Sequence, residues 1–319
     1  MNYSISQTQE RTQQIRIGGF LDAERRHKLY LFLGILIAAA LAVALAVYGW
    51  NYYILDQIHR PLSAKHSDLK ASGRIGLRLG ELGAVFFALV YLYPLRKRWS
   101  FLARSGQTKH WLDFHILLAL MGAVAISFHC AFKIHGFAGM AYWTMVALTV
   151  SGVVGRYFYA QIPRRIGDAE MSLKEMQGIG LRVVEELSGQ KMLPARELER
   201  LFQMPDSREV QSMSMLKAIV QMMLFDIRHP FRVWTLRRRS ISAGELVLTL
   251  GGILRTRHAA LERAISLASG QSELAKRVLF LSKTHRVFHL WHVIHRPFSL
   301  TFAIFVIIHI SVVISLGYF

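Results

Sequence analysis

Four histidines combine residue type with spacing in a way that suggests chemistry. His115 and His129 are 14 residues apart, and so are His295 and His309. Both pairs fall in apolar stretches. On an α-helix that separation is about 3.9 turns and about 21 Å, so the two rings of a pair share a face and lie near opposite ends of a span. An imidazole in hydrocarbon is costly and calls for a partner. A haem held edge-on between two helices by two axial imidazoles accounts for all four residues, and two such haems make an electron path. Zinc would need its ligands to converge on one point. Gly122 lies midway between His115 and His129, with Ala119 and Ala125 nearby. Such small residues let a flat macrocycle approach the helix. Histidines used only for packing are the plain alternative, and the matched spacing on two helices argues against it. His292 and His289 also precede Pro297, but only His295 reproduces the 14-residue interval.

Haem propionates need cationic partners. Arg74, Arg78 and Lys133 are placed for this at one membrane face, and Lys109, Arg156 and Arg296 at the other. Each can equally be a snorkelling anchor. Glu81 is the one acid well inside an apolar span, about a turn from Arg78. It is read either as an intramembrane ion pair or as a proton relay. Cys130, beside His129, defaults to an inert buried thiol.

The elements that must position these residues follow from composition. The chain has 319 residues, 53% hydrophobic and 18% charged, with a mean hydropathy of +0.30. A soluble domain carries about 25% charged residues. The apolar residues come in blocks of the length that crosses a bilayer, about 20 residues. Five such spans are predicted, at residues 29–50, 75–95, 111–132, 138–160 and 297–316. The first carries no charge, and its length and flanks set it apart from a cleaved signal peptide. The single cysteine excludes a disulfide framework, an all-cysteine zinc site and an iron–sulfur cluster held by this chain alone. The fold class expected is an all-α membrane protein, a bundle of about five transmembrane helices with a helical cytoplasmic insertion between helices 4 and 5.

Basic residues near the helix ends give orientation. Arg25, Arg26 and Lys28 abut the first span, and Arg96, Lys97, Arg98, Arg104 and Lys109 fill the loop before the third. The 51–74 connection is more balanced, with Asp56 and Asp68 against its basic residues. The reading is a multi-pass protein of the inner (plasma) membrane, N-terminus cytoplasmic and C-terminus outside. The formal net charge of +19 then faces anionic lipid headgroups. No nucleic-acid-binding motif accompanies it, so nucleic acid is not the expected partner.

Four regions are expected: a cytoplasmic tail (1–28), helices 1–4 (29–160), a cytoplasmic amphipathic cap (161–288) and helix 5 (289–319). Within the cap the pattern predicts short helices at 173–187, 214–227, 243–254 and from 261 to 287. His229–Pro230 is predicted to stop the second. Met213, Met215, Met222 and Met223 give that helix an adaptable apolar face. The cap is too short-segmented to span and is expected to lie against the inner leaflet.

The pattern resembles the ferric reductase-like transmembrane domain, the superfamily of the NADPH oxidases, metalloreductases and bacterial methionine-sulfoxide reductase haem subunits. The resemblance covers roughly residues 70–160 and 285–319. It rests on the two His pairs on helices 3 and 5, Ser72-Gly73-Arg74-Ile75-Gly76, the basic Arg96-Lys97-Arg98 loop and Trp111-Leu112-Asp113-Phe114-His115. It implies that His115 and His295 ligate an inner b-type haem and His129 and His309 an outer one. The chain departs from the family's oxidases in its long helix 4–5 insertion, and it has no sixth helix and no glycine-rich dinucleotide fingerprint. Electrons are therefore expected to pass to or from a partner: a ferredoxin, a flavoprotein or an iron–sulfur subunit.

The expected function is a di-haem b-type membrane cytochrome, an electron-transfer subunit of an oxidoreductase. One alternative is the quinone-linked cytochrome b anchor of a dehydrogenase, in which the cap shapes a quinone pocket. Another is a haem-free transporter or scaffold that uses the histidines as proton or metal sites.

Overall fold

The computed structural model describes residues 2–162, 207–240, 249, 253–256 and 259–317. Every regular element among them is helical: α1 (Asn2–Tyr53), α2 (His66–Leu69), α3 (Arg74–Val90), α4 (Leu92–Leu95), α5 (Ser100–Ala103), α6 (Thr108–His129), α7 (Gly136–Gln161), α8 (Ser207–Ser212), α9 (Met215–Ser240), α10 (Ala259–Leu279) and α11 (Leu281–Ser315), with one 3-10 turn at Arg60–Leu62. Among the described residues, five stretches are long and apolar enough to cross a membrane: Glu24–Tyr53, His66–Leu95, Thr108–His129, Ala138–Gln161 and Leu281–Ser315. The protein is an all-α membrane protein. It divides into two compact units, one of Met1–Val154 with Ile294–Phe319 and one of Gly155–Val293.

In the first unit α1 turns large apolar side chains outward, with Val47 72% and Trp50 61% exposed. An apolar helix of this length with its side chains turned outward has the character of a membrane span. The helix is continuous from Asn2, so the segment read as a tail is a helical extension of the first span.

The closest packing is between α3 and α6, and small residues set it. A side-chain carbon on Gly83 would come within 2.5 Å of Ile126, and one on Gly122 within 2.9 Å of the Phe87 ring. A carbon on Gly76 would collide with the backbone carbonyl of Lys70. Gly76 and Gly80 stand four apart, the small-xxx-small spacing that lets membrane helices approach closely. Phe87, Met145 and Phe302 form the buried layer where α3, α7 and α11 meet. Phe87 and Phe302 meet edge to face, with ring centroids 4.9 Å apart.

At the far end of α6, Arg60 is only 6% exposed. Its guanidinium donates to the carbonyls of Tyr53 (2.9 Å), Leu55 (3.0 Å) and Ala131 (2.6 Å). These oxygens belong to the chain leaving α1 and α6, where carbonyls lack helical partners and carry the negative end of the helix dipole. One buried cation thus closes two helix ends.

In the second unit Ala218 and Met222 of α9 pack with Val210, Met213, Phe158 and Phe280. The Tyr157 hydroxyl donates to Asp226 Oδ2 at 2.6 Å, and Lys276 pairs with the other oxygen of that carboxylate. Opposite the buried face, α9 exposes Leu216, Val220, Ile227 and Phe231 between Lys217, Arg228 and Arg232.

Two expected helix ends are corrected. Pro230 does not stop α9, which runs to Ser240. An interior proline costs about 3 kcal/mol, and interactions beyond it offset that cost: Leu236 is buried, and Arg237 makes a two-pronged pair with Glu262 at 2.9 and 2.7 Å. Glu262 also accepts the backbone N–H of Thr256. Burial alone would raise the pKa of the Glu262 carboxyl, but the Arg237 and Thr256 bonds hold it below its ordinary value. Likewise α11 begins at Leu281 and passes through Pro297, so the last span and the end of the cap are one helix. The helix expected at 261–287 is divided between α10, which ends at Leu279, and the start of α11. The helix expected at 173–187 lies outside the described residues, as does 243–254 apart from residues 249, 253 and 254.

Two outcomes follow. Gly76→Ala, which forces its new carbon against a backbone carbonyl, lowers thermal stability in detergent by roughly 1–3 kcal/mol. Gly152→Ala, where nothing lies within 4 Å, is neutral or slightly stabilising. Burial, with Arg232 and Lys276 adding to it, lowers the pKa of the His229 imidazole. The unfolded chain therefore binds the proton more readily, and α9 loses stability as pH falls below about 6.5. Exchange of its amides, corrected for intrinsic rate, speeds up from pH 7.5 to pH 5.5, and His229→Gln removes that dependence.

Candidate functional site

The site is built on the face of α6 that looks at α3. The ring of His115 lies 2.9 Å, through Nδ1, from the carbonyl oxygen of Val90. His129 Nδ1 lies 2.8 Å from the carbonyl oxygen of Gly76. A carbonyl carries no proton, so in both rings Nδ1–H is the donor. Each neutral ring then keeps an unprotonated Nε2. This is the tautomer a metal-binding histidine needs, with a backbone acceptor that orients the ring and raises its basicity.

The geometry has a local cause. The two acceptors are themselves 14 residues apart on α3, which runs antiparallel to α6, so one helix pairing serves both rings. Val90 closes α3, and four residues on stands Pro94, which has no N–H to give its carbonyl. At the other end a side-chain carbon on Gly80 would lie 2.6 Å from His129 Nδ1. Glycine is what leaves the ring its seat.

The second pair lies on α11. His309 of α11 lies near enough to His129 for their charges to interact. His295 shares a hydrogen bond with Ser151 Oγ of α7 at 3.1 Å. One turn on, the Tyr91 hydroxyl donates to the carbonyl of Ser299 at 2.6 Å, tying α11 to the end of α3. His292 packs edge-on against Phe288 and Trp291.

The expected cations have other partners. Arg74 pairs with Asp68 at 3.2 Å, Arg78 with Glu81 at 2.7 Å and Lys109 with Glu24 at 2.6 Å. Arg156 lies over the Tyr159 ring, 5.9 Å from its centroid, and Arg296 is exposed. Gly122 is buried and leaves its room to the Phe87 ring, so in this structure its size serves the α3–α6 contact.

Sequence reasoning passed over the two backbone acceptors, Arg60, and a cluster at the start of α6. There His27 Nε2 meets Asp113 Oδ2 at 3.0 Å. The His27 ring stacks on His110 with centroids 3.7 Å apart. The Gly76–Gly80 spacing and Pro94 were the available signals for the acceptors. For His27 there was none. No protein-family model, curated protein or solved structure matches this chain.

Replacing Arg60 by Met strips charged donors from three carbonyls at the ends of α1 and α6. It is expected to lower stability by roughly 2–4 kcal/mol, read as a fall in melting temperature of the detergent-solubilised protein. Lys133→Met, at an exposed position of the same turn, is expected to change it by less than about 0.5 kcal/mol.

Proposed function

We propose that this chain is a di-haem b-type membrane cytochrome, an electron-transfer subunit that carries electrons across the bilayer between a redox partner and an acceptor. The observation that carries this reading is the shared tautomer of His115 and His129. Two intramembrane imidazoles, one at each end of α6, are each held through Nδ1 so that Nε2 is free to bind iron. His129 with His309 would hold the outer haem, and His115 with His295 the inner one. Bound haem supplies reversible one-electron chemistry whose potential follows its axial ligands, their hydrogen bonds and local burial.

The chain's own residues account for the rest. Val90 and Gly76 fix the ring orientations and make the imidazoles stronger donors to a metal. Ser151 steadies His295. The Phe87–Phe302 layer, seated on Gly122, fills the volume between the two histidine levels and keeps water out of it. Exposed Arg296, and Arg74 and Arg78 if they exchange Asp68 and Glu81 for a propionate, are the cations that would meet propionates. The basic residues at the helix ends support a reading with the N-terminus in the cytoplasm of an inner (plasma) membrane and the C-terminus outside. The basic, apolar outer face of α9 fits the inner leaflet. A ferredoxin, flavoprotein or iron–sulfur partner would dock on the cytoplasmic side.

The test is a reduced-minus-oxidised spectrum of the purified protein, with haem counted as the pyridine haemochrome. Two b-type haems per chain are expected, falling to about one in His129→Ala and in His309→Ala. Gly80→Ala, which crowds the His129 ring, is expected to shift one of the two midpoint potentials and leave the other in place. A protein that takes up no haem after haem-supplemented expression overturns the reading and leaves a transporter or scaffold.

A further inference from the structure

Where α1 enters the bilayer, α3 ends and α6 begins, the helices line a half-open cavity of about 580 Å³. That is within the roughly 300–1,000 Å³ of small-molecule sites. Its walls change character from end to end. Arg26, His27 and His110 line one end along the helices, and Leu89 and Leu118 the other. From His110 to Leu118 is about 12 Å along α6. Between these ends the sides are aromatic, formed by Tyr30, Tyr93, Trp111 and Phe114. Flat, aromatic-walled slots favour flat ring systems.

The polar end is pre-organised. His27 is 6% exposed and is clamped on three sides: by Asp113 at 3.0 Å, by the stacked His110 ring, and by the edge of Phe114 at 5.3 Å between centroids. Glu24 meets His110 at 3.3 Å. With His27 donating Nε2–H to the Asp113 carboxylate, Nδ1 is left as an acceptor for a ligand hydroxyl. The flanks of α1 just beyond it, Leu29, Phe32 and Leu33, are exposed to lipid, so a ligand dissolved in the bilayer can reach the slot.

We propose that this cavity is a quinone site. It takes the ring of a lipid-soluble benzoquinone or naphthoquinone, with Arg26 donating to a carbonyl oxygen of the oxidised form, a hydroxyl of the reduced form donating to His27 Nδ1, the ring among Tyr93, Trp111 and Phe114, and the apolar tail among leucines. A phospholipid chain would need no buried imidazole, and a free anion would need no aromatic walls. His115 forms part of the wall, so the bound ring lies beside the inner ligand of the proposed haem pair. That electron-transfer role rests on the di-haem reading, whereas occupancy of the slot does not.

The experiment uses the full chain in detergent, an azido-ubiquinone photolabel and decylubiquinone as competitor. Labelled peptides are mapped by mass spectrometry, and haem is counted in the same samples. Label confined to peptides covering 26–30, 89–93 or 110–118 and suppressed by decylubiquinone is the expected result. Leu92→Trp, which fills the slot, and His27→Gln, which removes the anchor without adding bulk, each reduce that labelling at least tenfold and keep their haem. Label elsewhere, or label displaced as well by phosphatidylcholine as by decylubiquinone, overturns the site. Haem lost together with label in Leu92→Trp also overturns it, by making the cavity the haem's own. Haem-free wild type that still gives the competed label leaves the quinone site standing and removes the cytochrome reading.

Discussion

An imidazole within a bilayer must satisfy a ring N–H where water is scarce. Here two of them do so against the main chain of a neighbouring helix, and most of the first unit can be traced to that requirement. The acceptor carbonyls of Gly76 and Val90 come within reach only because α3 and α6 pack at glycine distance, with Gly80 under His129 and Gly83 against Ile126. A hydrogen bond of this kind contributes about 1 kcal/mol net, and leaving the group unpaired costs about 1–3 kcal/mol. The larger effect is on specificity. The ring nitrogen that keeps its proton is decided by the fold, which leaves the chemistry of the other nitrogen open for use.

The same economy recurs at the outer end of the unit. Arg60 answers three carbonyls from chain leaving two different helices, and so ties the exit of α1 to the turn just after His129. In the second unit a carboxylate plays the converse role, with Asp226 gathering Tyr157 and Lys276 from α7 and α10. In each unit a few charge-assisted bonds fix helices whose apolar faces alone would let them slide.

The sequence made some of this legible and hid the rest for physical reasons. Spans announce themselves through uncharged apolar runs such as that of α1, and the fourteen-residue histidine interval is plain because helical geometry converts it directly into depth. Backbone acceptors carry no residue signature, so Val90 is visible only through the proline four places on, and Gly76 only through the Gly76–Gly80 spacing. Pro230 and Pro297 were misleading because one lost amide is a small penalty beside a buried Leu236 or a long apolar helix. The His27–Asp113 contact joins residues 86 apart through a segment that reads as a plain basic tail. Nothing in its local pattern marks it.

That both ring anchors on α3 are main-chain oxygens has a consequence for how this chain can change over time. No exchange of one side chain for another can delete an oxygen of the peptide backbone, so drift can reach these anchors only indirectly, through the glycines that let the rings approach. What can remove them is a change of register, and α3 has only one. An inserted or lost residue between positions 76 and 90 would misalign one oxygen against its imidazole whatever happened at the other, and a slip of the whole helix would misalign both. The two ends of the bundle are therefore coupled: outward positions of this helix pair can change without touching either contact, whereas a change in its length between the two contacts cannot.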